Sequence, residues 1–413
     1  MRVLHFAPRV CWPLDTGAKL RNYHLARVLA ERSQVTLLAF SDHDEAPREL
    51  PQEPLAPLEN PYHQIITVKR DAAYTFAKMV RGLWGRTPLP VLNYTTASMK
   101  QALEDLLNTR DFDVVQVESI HLMAYLPIIR AARKQPLVIC DWHNIESELM
   151  LRYSKREPNL LRRAYAGKTA RLMSEFERRA TREFDAHVVV SERDALRLRA
   201  LNPGARVFVI ENGVDTAHYS DALIETDASS PRNVPRKNRI VFVGSMDYHA
   251  NIEGAVKFAR EVMPRLRAHQ PDLVFTIVGR NPSREVRELA QNPGIEVTGT
   301  IDDVRPYYRK AVAAVVPLNV GGGSRLKILE AMAAGVPVVS TTLGAEGLNV
   351  EHDKNILIAD TNDQLIEAIV RVVESEEQRK QLVEAGRALV SSRYDWSTLG
   401  ANLFEIYRQL LTR

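Results

Sequence analysis

The residues best suited to chemistry follow a glycine-rich loop near position 322. Gly322, Gly323 and Ser324 precede Arg325 and Lys327 at the start of a predicted helix of about three turns. Glycines let a ligand approach the backbone, Ser324 suits an N-cap, and the amides of a helix N-terminus attract anions. Because cations in the first turn oppose the helix dipole, stability alone does not explain them. An anion such as a diphosphate would; the alternative is a connecting loop with two solvated cations.

His143 and Gly17 are further candidates. His143 follows a predicted strand that ends at Cys140 and Asp141, at the edge of the sheet where α/β proteins bind ligands. A lone histidine is more often structural, and Asp141 either orients it or simply ends the strand. Gly17 lies in a loop after the first strand and allows a close approach to phosphate. Residues 15–19 are not a P-loop, because no glycine stands at the required earlier position.

Parallel sheets must position these residues. Short β-branched runs alternate with helix-length amphipathic segments along the whole chain, which is typical of strands covered by helices. The first half predicts seven strands: Val3–Ala7, Val35–Phe40, Ile65–Val68, Val114–Val117, Leu137–Cys140, His187–Val190 and Val207–Ile210. The second half predicts six: Ile240–Val243, Val274–Val278, Ile295–Val297, Val312–Val316, Val336–Ser340 and Ile356–Ile358, with a helix over 252–269.

The predicted fold is therefore α/β with two Rossmann-like domains. The first covers residues 1–215, and a C-terminal helix at about 395–413 is expected to pack back on it. The second covers 216–394 and follows a polar linker at 225–238. Ligands bind at the carboxyl ends of such strands, so the active site is expected in a cleft between the two domains.

Composition excludes several classes of protein. The 413 residues suit two or three domains, and a net charge of +4 argues against a dedicated nucleic-acid binder. The two cysteines, Cys11 and Cys140, form neither a disulfide framework nor a metal-ligand pattern, which favours a reducing compartment. The first residues lead directly into a strand, and no apolar run reaches the ~18 residues of a membrane span. We therefore expect a cytoplasmic protein.

One basic segment interrupts this balance of charge. Residues 151–182 carry ten basic and three acidic side chains, and Leu161, Tyr165, Leu172 and Phe176 are spaced to share a helix face. The segment is either a surface helix with solvated cations or a docking site for anionic lipid or a phosphate-bearing acceptor. Aromatic and basic residues also mix in 76–86, which favours peripheral contact with the inner face of the plasma membrane.

The motif at 323–339 resembles the nucleotide-sugar site of family 4 glycosyltransferases with the GT-B fold, and the resemblance spans nearly the whole chain. Within that family the sequence looks closest to sugar transferases of bacterial exopolysaccharide gene clusters, including exosortase-linked ones. Further motifs agree in order: Gly17, Asp141-Trp142-His143-Asn144, Ser191-Glu192-Arg193-Asp194, Asn212-Gly213-Val214-Asp215, Phe242-Val243-Gly244-Ser245-Met246, Ile277-Val278-Gly279 and Val297-Thr298-Gly299.

The resemblance assigns the nucleotide sugar to the second domain and the acceptor to the first. Glu330 matches the second acidic residue of the family's paired motif and would hold the ribose hydroxyls. The first acidic position is occupied by Gly322. Most members also carry an Arg and a Lys after the strand matching Ile240–Val243, where this chain has Gly244 and Ser245.

We infer that Arg325 and Lys327 replace these cations and hold the donor diphosphate. His143 matches a histidine that contacts the donor sugar, and Gly17 would approach the donor phosphates. Gly299 and Ile301 lie where the family's nucleobase would sit. The resemblance implies no metal and no cofactor.

The predicted reaction is retaining, metal-independent transfer of a sugar from a nucleoside diphosphate to a hydroxyl of a glycan or lipid-linked acceptor. Its expected role is exopolysaccharide or cell-surface glycan synthesis. Arg325, Lys327 and the Ser324 end of the helix would stabilise the departing diphosphate. No general base stands out. The alternatives are a GT-B nucleotide-sugar 2-epimerase and a non-catalytic nucleotide-sugar-binding subunit. A dinucleotide oxidoreductase is disfavoured because neither first strand precedes a Gly-x-Gly-x-x-Gly turn.

Overall fold

The computed structural model describes residues 1–41, 60–70, 75, 82, 85, 87–221, 238–320 and 325–412. Gly322, Gly323 and Ser324 lie outside the described residues, as do nearly all of the linker at 225–238 and most of the segment at 76–86. The described chain divides into two compact units, one of Met1–Glu211 with Leu399–Arg413 and one of Asn212–Thr398.

The first unit holds one sheet of seven parallel strands in the order β3-β2-β1-β4-β5-β6-β7. The strands are β1 Arg2–Ala7, β2 Gln34–Ser41, β3 Gln64–Lys69, β4 Val114–Glu118, β5 Leu137–Trp142, β6 Ala186–Val189 and β7 Val207–Val209. The helices are α1 Gly17–Ala30, α2 Leu89–Asn93, α3 Ala97–Thr109, α4 Leu126–Arg130, α5 Glu146–Arg156, α6 Leu160–Glu183 and α7 Glu192–Leu201, with a 3₁₀ helix at Ile120–Tyr125.

The second unit holds six parallel strands in the order β10-β9-β8-β11-β12-β13. They are β8 Arg239–Val243, β9 Val274–Val278, β10 Ile295–Val297, β11 Ala313–Val316, β12 Val338–Ser340 and β13 Leu357–Ile358. Its helices are α8 Thr216–Asp221, α9 His249–Lys257, α10 Met263–His269, α11 Arg284–Glu288, α12 Arg305–Lys310, α13 Leu326–Ala333, α14 Asn362–Glu374, α15 Glu376–Leu389 and the start of α16 Trp396–Leu411, with a 3₁₀ turn at Leu289–Gln291 and π turns at Phe258–Val262 and Val390–Tyr394.

These two sheets confirm the predicted α/β class, and each predicted strand is present within two residues at either end. The strands are apolar on both faces because helices cover both sides of a parallel sheet. β4 and β5 are almost wholly buried, and β1 has a single exposed residue, Arg2, at its start. None of the helices in the described ranges is long and apolar enough to cross a membrane.

The helix predicted over 252–269 is interrupted. It is built from α9, a π turn at Phe258–Val262 and α10, whose first turn contains Pro264. Proline has no amide hydrogen to continue the ladder of a helix, so the preceding turn widens.

Helix α6 corrects the predicted apolar face of the basic segment. Asn159 caps its first turn through hydrogen bonds from the amides of Leu161 and Arg162. The buried stripe runs through Ala166, Thr169, Ala170, Met173, Phe176, Glu177 and Ala180. Leu161 is 83% exposed, whereas Tyr165 and Leu172 are half-buried. The small alanines let α5 pack closely against α6, and this contact selects the buried face.

Candidate functional site

Helix α13 carries the predicted cations at the carboxyl edge of the second sheet. It begins after β11 and has only eight residues. Its N-cap is Arg325, which makes no side-chain capping bond, and its eight residues are fewer than the predicted three turns. The predicted cap Ser324 lies outside the described residues. The second turn contains Glu330, which brings all three charged side chains onto one short helix.

Lys327 is tightly enclosed. Its Nζ donates to Oδ1 of Asn251 at 2.6 Å and lies 4.8 Å from the centre of the Phe242 ring. Asn251 in turn donates to the carbonyl of Ser245 at 2.8 Å. A Cβ at Gly244 would lie 2.9 Å from Nζ. Glycine at 244 therefore makes room for the amine at the end of β8.

Gly279 supports the same arrangement. A Cβ at this position would lie 1.7 Å from the carbonyl oxygen of Gly244, so no larger residue fits without moving the β8 loop. Two strand ends therefore approach each other directly below Lys327. The close packing at Gly244 thus depends on a second glycine, Gly279, which the sequence analysis named only as part of a motif.

Burial, helped by the charge of Arg325, outweighs the opposing charge of Glu330 and lowers the pKa of Lys327 to about 7. Near neutral pH the amine is therefore balanced between its two protonation states. A polyanion placed beside it would favour the ammonium form. The amine can respond to an arriving diphosphate by taking up a proton.

Arg325 is not a solvated cation, because only 7% of it is exposed. Its Nε donates to the carbonyl of Glu346 at 3.3 Å, and Nη2 lies 3.5 Å from that residue's carboxylate. The guanidinium thus braces the loop after β12 as well as the start of α13. The inferred role toward a diphosphate stays a prediction.

Glu330 is held by two tyrosines. The hydroxyls of Tyr219 and Tyr308 form hydrogen bonds with its carboxylate, and the Tyr308 hydroxyl also lies 3.3 Å from the carbonyl oxygen of Lys327. Burial raises the pKa of Glu330, while the Lys327 charge and these hydrogen bonds oppose the rise. Both tyrosines would have to share the carboxylate with any ribose hydroxyl that it binds.

Ser245, Gly299 and Ile301 complete the predicted donor residues of this unit. Ser245 Oγ donates to Asp247 at 2.6 Å and accepts from Arg280 Nε at 3.0 Å. Gly299 follows β10 with φ of +76°, and apart from its own chain neighbours no atom of the described residues lies within 4 Å of where its Cβ would be. The structure thus leaves open space at Gly299, next to the half-exposed Ile301.

In the first unit, His143 follows β5 and contacts a residue that the sequence did not single out. Its Nε2 lies 3.0 Å from Oε2 of Glu118, the last residue of β4. His143 is 16% exposed and Glu118 only 1%. Burial pushes the pKa of Glu118 up, but the His143 hydrogen bond and the charges of His5, His143 and Arg21 outweigh it and the pKa is lowered. Glu118 therefore acts as a buried carboxylate that orients His143.

Arg21 is the second residue that sequence reasoning missed. From α1 it donates to both oxygens of Asp141, at 3.0 and 3.1 Å, and to the carbonyls of Ile210 and Glu211 at 2.8 and 3.0 Å. Asp141 is therefore the ion-pair partner of Arg21. It forms no hydrogen bond with His143 among the described residues. Gly17, which begins α1, lies one turn before Arg21.

The sequence of β4 contains a signal that could have identified Glu118. Gln116 and Glu118 are polar positions inside the apolar run of β4, and both are buried. A polar residue in a strand that is buried on both faces must find a partner, so Glu118 could have been selected for that reason.

One group in the described part of the chain could ligate a metal ion: Glu118, Asp141 and His143, whose ligand atoms lie within 4.8 Å of one another. Both Asp141 oxygens already accept from Arg21, and Glu118 accepts from His143 and Gln116. The negative charge is thus shared with a guanidinium that a divalent ion would have to displace. These donors fit a hydrogen-bonded network better than a metal site.

Each unit of the chain resembles known glycosyltransferases. The profile described as Glycosyltransferase Family 4 matches residues 16–218, and the profile Glycosyl transferases group 1 matches 237–375. A phosphatidyl-myo-inositol mannosyltransferase of Mycolicibacterium smegmatis is 29% identical over 211 residues, 49% of this chain and 52% of that protein. A glycogen synthase of Mycobacterium tuberculosis is 26% identical over 215 residues, 50% and 49% of the two chains. The chain spans about half the length of these curated relatives.

Solved structures share the whole fold. Sucrose-phosphate synthase from Thermosynechococcus elongatus has a TM-score of 0.69 at 18% identity and covers 100% of both chains. Anabaena HepE in complex with UDP-glucose has a TM-score of 0.62 at 16% identity, covering 99% of this chain and 100% of that one.

The two parallel sheets and these neighbours define the fold of the protein as GT-B. The Family 4 match lies largely in the first unit, and the group 1 match lies in the second. The predicted GT-B fold is confirmed, and the two profiles support the predicted family and the glycosyltransferase class. Neither profile describes an epimerase, so the 2-epimerase alternative is not favoured. The narrower placement among exopolysaccharide transferases stays a prediction.

Proposed function

We propose that the protein is a retaining, metal-independent glycosyltransferase that moves a sugar from a nucleoside diphosphate to a hydroxyl of a glycan or lipid-linked acceptor. Its role would be exopolysaccharide or other cell-surface glycan synthesis. The observation that carries the proposal is Lys327, an enclosed amine beside Gly244 at the carboxyl edge of the second sheet. An amine in this position suits a polyanion that needs close backbone approach.

The proposed chemistry uses the two units for different tasks. Lys327, with Arg325 at the start of α13, would stabilise the negative charge of the departing diphosphate, and preorganised cations are effective there because they need no reorganisation. Glu330 would hold the ribose. His143, oriented by Glu118, would contact the donor sugar. Retention of the anomeric configuration rests on the family resemblance.

The names of similar proteins support a nucleotide-sugar donor. Anabaena HepE has been solved with UDP and with UDP-glucose, and one Mycobacterium tuberculosis relative is named a GDP-mannose-dependent mannosyltransferase. Calorimetry with UDP, GDP, UDP-glucose and GDP-mannose tests donor binding. Release of free sugar from a bound donor separates an enzyme from a non-catalytic binding subunit. Absence of binding to all four ligands would refute the proposed donor class.

His143→Ala is expected to reduce donor turnover by roughly ten-fold or more, equivalent to about 1.4 kcal/mol of barrier. The affinity for nucleoside diphosphate should stay nearly unchanged, because the proposed nucleotide contacts other than Gly17 belong to the second unit. Initial rates of donor hydrolysis and calorimetry measure the two effects separately. A variant that turns over like the wild type would make His143 a structural residue.

We also propose that the hairpin of α5 and α6 brings the protein to anionic membranes. Leu160 and Leu161 at the start of α6 are 73% and 83% exposed, and Leu151 and Tyr153 on α5 are 47% and 49% exposed. Exposed Arg162 and Arg163 follow these leucines directly. Apolar side chains beside cations are typical of surface attachment to anionic lipid.

Membrane binding should weaken when either part of this surface is changed. Each cation near an anionic surface contributes roughly 1 kcal/mol, so Arg162→Gln with Arg163→Gln should reduce pelleting with anionic vesicles by about ten-fold or more. Leu160→Glu with Leu161→Glu should also reduce it. Leu196→Glu is the matched control, since Leu196 on α7 is 65% exposed outside this surface. Equal pelleting of all variants would remove the membrane proposal.

A further inference from the structure

A second titratable group lies beside His143 without a partner of its own. Glu146 is the first residue of α5, three positions after His143, and is half-buried. Among the described residues, no donor forms a hydrogen bond or an ion pair with its carboxyl group. Its charge interacts with those of Glu177 and His143. A carboxyl group that loses hydration without gaining a donor is costly, so its presence calls for a reason.

Glu177 explains the helix start but not Glu146. It extends from α6, is 1% exposed, and accepts hydrogen bonds from the amide and hydroxyl of Ser147 and from the amide of Glu146. The first turn of α5 is therefore capped by a carboxylate from another helix. The Glu146 side chain is not needed for this task, and it faces the negative charge of Glu177.

The nearby cations are directed elsewhere. Glu148, on the same helix, lies 3.9 Å from Nη2 of Arg193 and also pairs with Arg197, both from α7. It lies 3.9 Å from Arg152 as well. The groups that face Glu146 are thus His143 after β5 and Glu177 on α6, with no arginine or lysine among them in the described ranges.

An ionised Glu146 does not stabilise the folded protein. Burial and the negative charge of Glu177 outweigh the opposing charge of His143 and raise the pKa of Glu146 to about 7. An acid whose pKa is higher in the folded state favours folding when it is protonated. Its stabilising effect is present below its unfolded pKa near 4.5 and is lost as the pH rises toward 7. Above pH 7 the carboxylate therefore makes the folded protein less stable than a neutral side chain would.

We propose that Glu146 binds the acceptor, accepting a hydrogen bond from a sugar hydroxyl beside His143. The inference rests on the proposed function. A carboxylate repels a diphosphate and accepts hydrogen bonds from hydroxyl groups, so of the two substrates it suits the hydroxyl-rich acceptor. Its partial exposure leaves the oxygens accessible, and its position after β5 places them at the carboxyl edge of the sheet.

The test compares Glu146→Gln with the matched control Glu148→Gln two residues along the same helix. UDP-glucose and GDP-mannose serve as donors, and n-octyl glucoside and n-octyl mannoside as acceptors. Glu146→Gln is expected to raise the acceptor KM by about ten-fold or more, the size of one charge-assisted hydrogen bond. In the wild type, acceptor kcat/KM should fall below pH 7 as the Glu146 carboxylate becomes protonated. Glu146→Gln should abolish this fall. The affinity for nucleoside diphosphate and the KM for the donor should both change by less than about two-fold.

Melting temperatures separate acceptor binding from a purely structural role, because loss of a structural residue would lower the melting temperature. At pH 8 Glu146→Gln should melt no lower than the wild type, whereas Glu148→Gln, which loses its arginine partners, should melt lower but keep the acceptor KM. Glu146→Asp should retain the pH dependence. If octyl glycosides are not turned over, saturation-transfer NMR in the presence of UDP measures their binding to the same variants.

The possible failures are distinct. If Glu146→Gln has the acceptor KM or the acceptor affinity of the wild type, the inference is overturned. Donor binding by the wild type would then still support the proposed function. A loss of nucleoside diphosphate affinity in Glu146→Gln would place the residue on the donor and would also overturn it. A wild type that binds a donor but no octyl glycoside likewise contradicts the inference. A wild type that binds no nucleoside diphosphate refutes the proposed function itself.

Discussion

Arg21→Met is expected to reduce the free energy of unfolding of the first unit by about 3–5 kcal/mol, the cost of leaving a buried ion without its partner. Arg21 is 1% exposed and Asp141 0%. The substitution would strand the Asp141 carboxylate together with the carbonyls of Ile210 and Glu211, which accept from the same guanidinium. Urea unfolding followed by circular dichroism measures the loss.

The control comes from the same helix. Lys19 forms an ion pair with Asp15 at 2.8 Å, with side chains 18% and 35% exposed. Lys19→Met should therefore cost no more than about 1 kcal/mol, since exposed ion pairs contribute little. Replacing both Arg21 and Asp141 by Met and Leu should recover part of the loss, because no buried charge is then left unpaired. Equal effects of Arg21→Met and Lys19→Met would mean that the buried pair does not stabilise the unit.

Lys327→Ala is expected to weaken nucleoside diphosphate binding by roughly ten- to a hundred-fold, or about 1.5–3 kcal/mol for one charge-assisted contact. Binding of the nucleoside alone should change little, because the proposed partner of the amine is the diphosphate. Arg325→Ala should show the same selectivity and also lower the melting temperature, since Arg325 contacts Glu346. Calorimetry with nucleoside, monophosphate and diphosphate separates these effects.

Glu330→Ala provides the contrasting variant, since its proposed partners are ribose hydroxyls. It should weaken binding of the nucleoside itself. If Arg325→Ala binds the diphosphate like the wild type, Lys327 alone replaces the family's usual cations. If Lys327→Ala also does so, the inferred diphosphate site is wrong.

The same contact should depend on pH. The pKa of Lys327 is about 7 without ligand, and a diphosphate would raise it because it favours the ammonium form. Affinity should therefore fall as pH rises above 7, and binding near pH 8 should take up a proton, which calorimetry detects in buffers of different ionisation enthalpy. Lys327→Arg, whose side chain stays charged, should bind with weaker pH dependence.

The sequence alone was enough to predict the sheets and to select His143 and Lys327 near their carboxyl edges. Strands such as β4, β5 and β8 are short apolar runs because both faces of a parallel sheet are buried. Their periodicity is local, so it can be recognised without the fold. His143 and Lys327 could be selected in the same way, because each follows a strand directly or after one loop.

The partners of these residues depend on contacts between distant parts of the chain. Arg21 and Asp141 are 120 positions apart, His143 and Glu118 are 25 apart, and Lys327 reaches Asn251 over 76. No local pattern encodes such pairs, because they form only when strands from different parts of the chain become neighbours in one sheet.

Helix α6 and Glu146 show the same limit. The apolar face of α6 differed from the predicted one because its burial depends on how closely α5 packs against small side chains. Glu146 looked like an ordinary acidic residue in a first turn. Only the tertiary structure placed it against Glu177 and directed the arginines of α7 to Glu148, and this arrangement of charges left it without a partner. Sequence periodicity thus determined which segments are buried, whereas the packing of helices on the sheet decided the environment of each charged group.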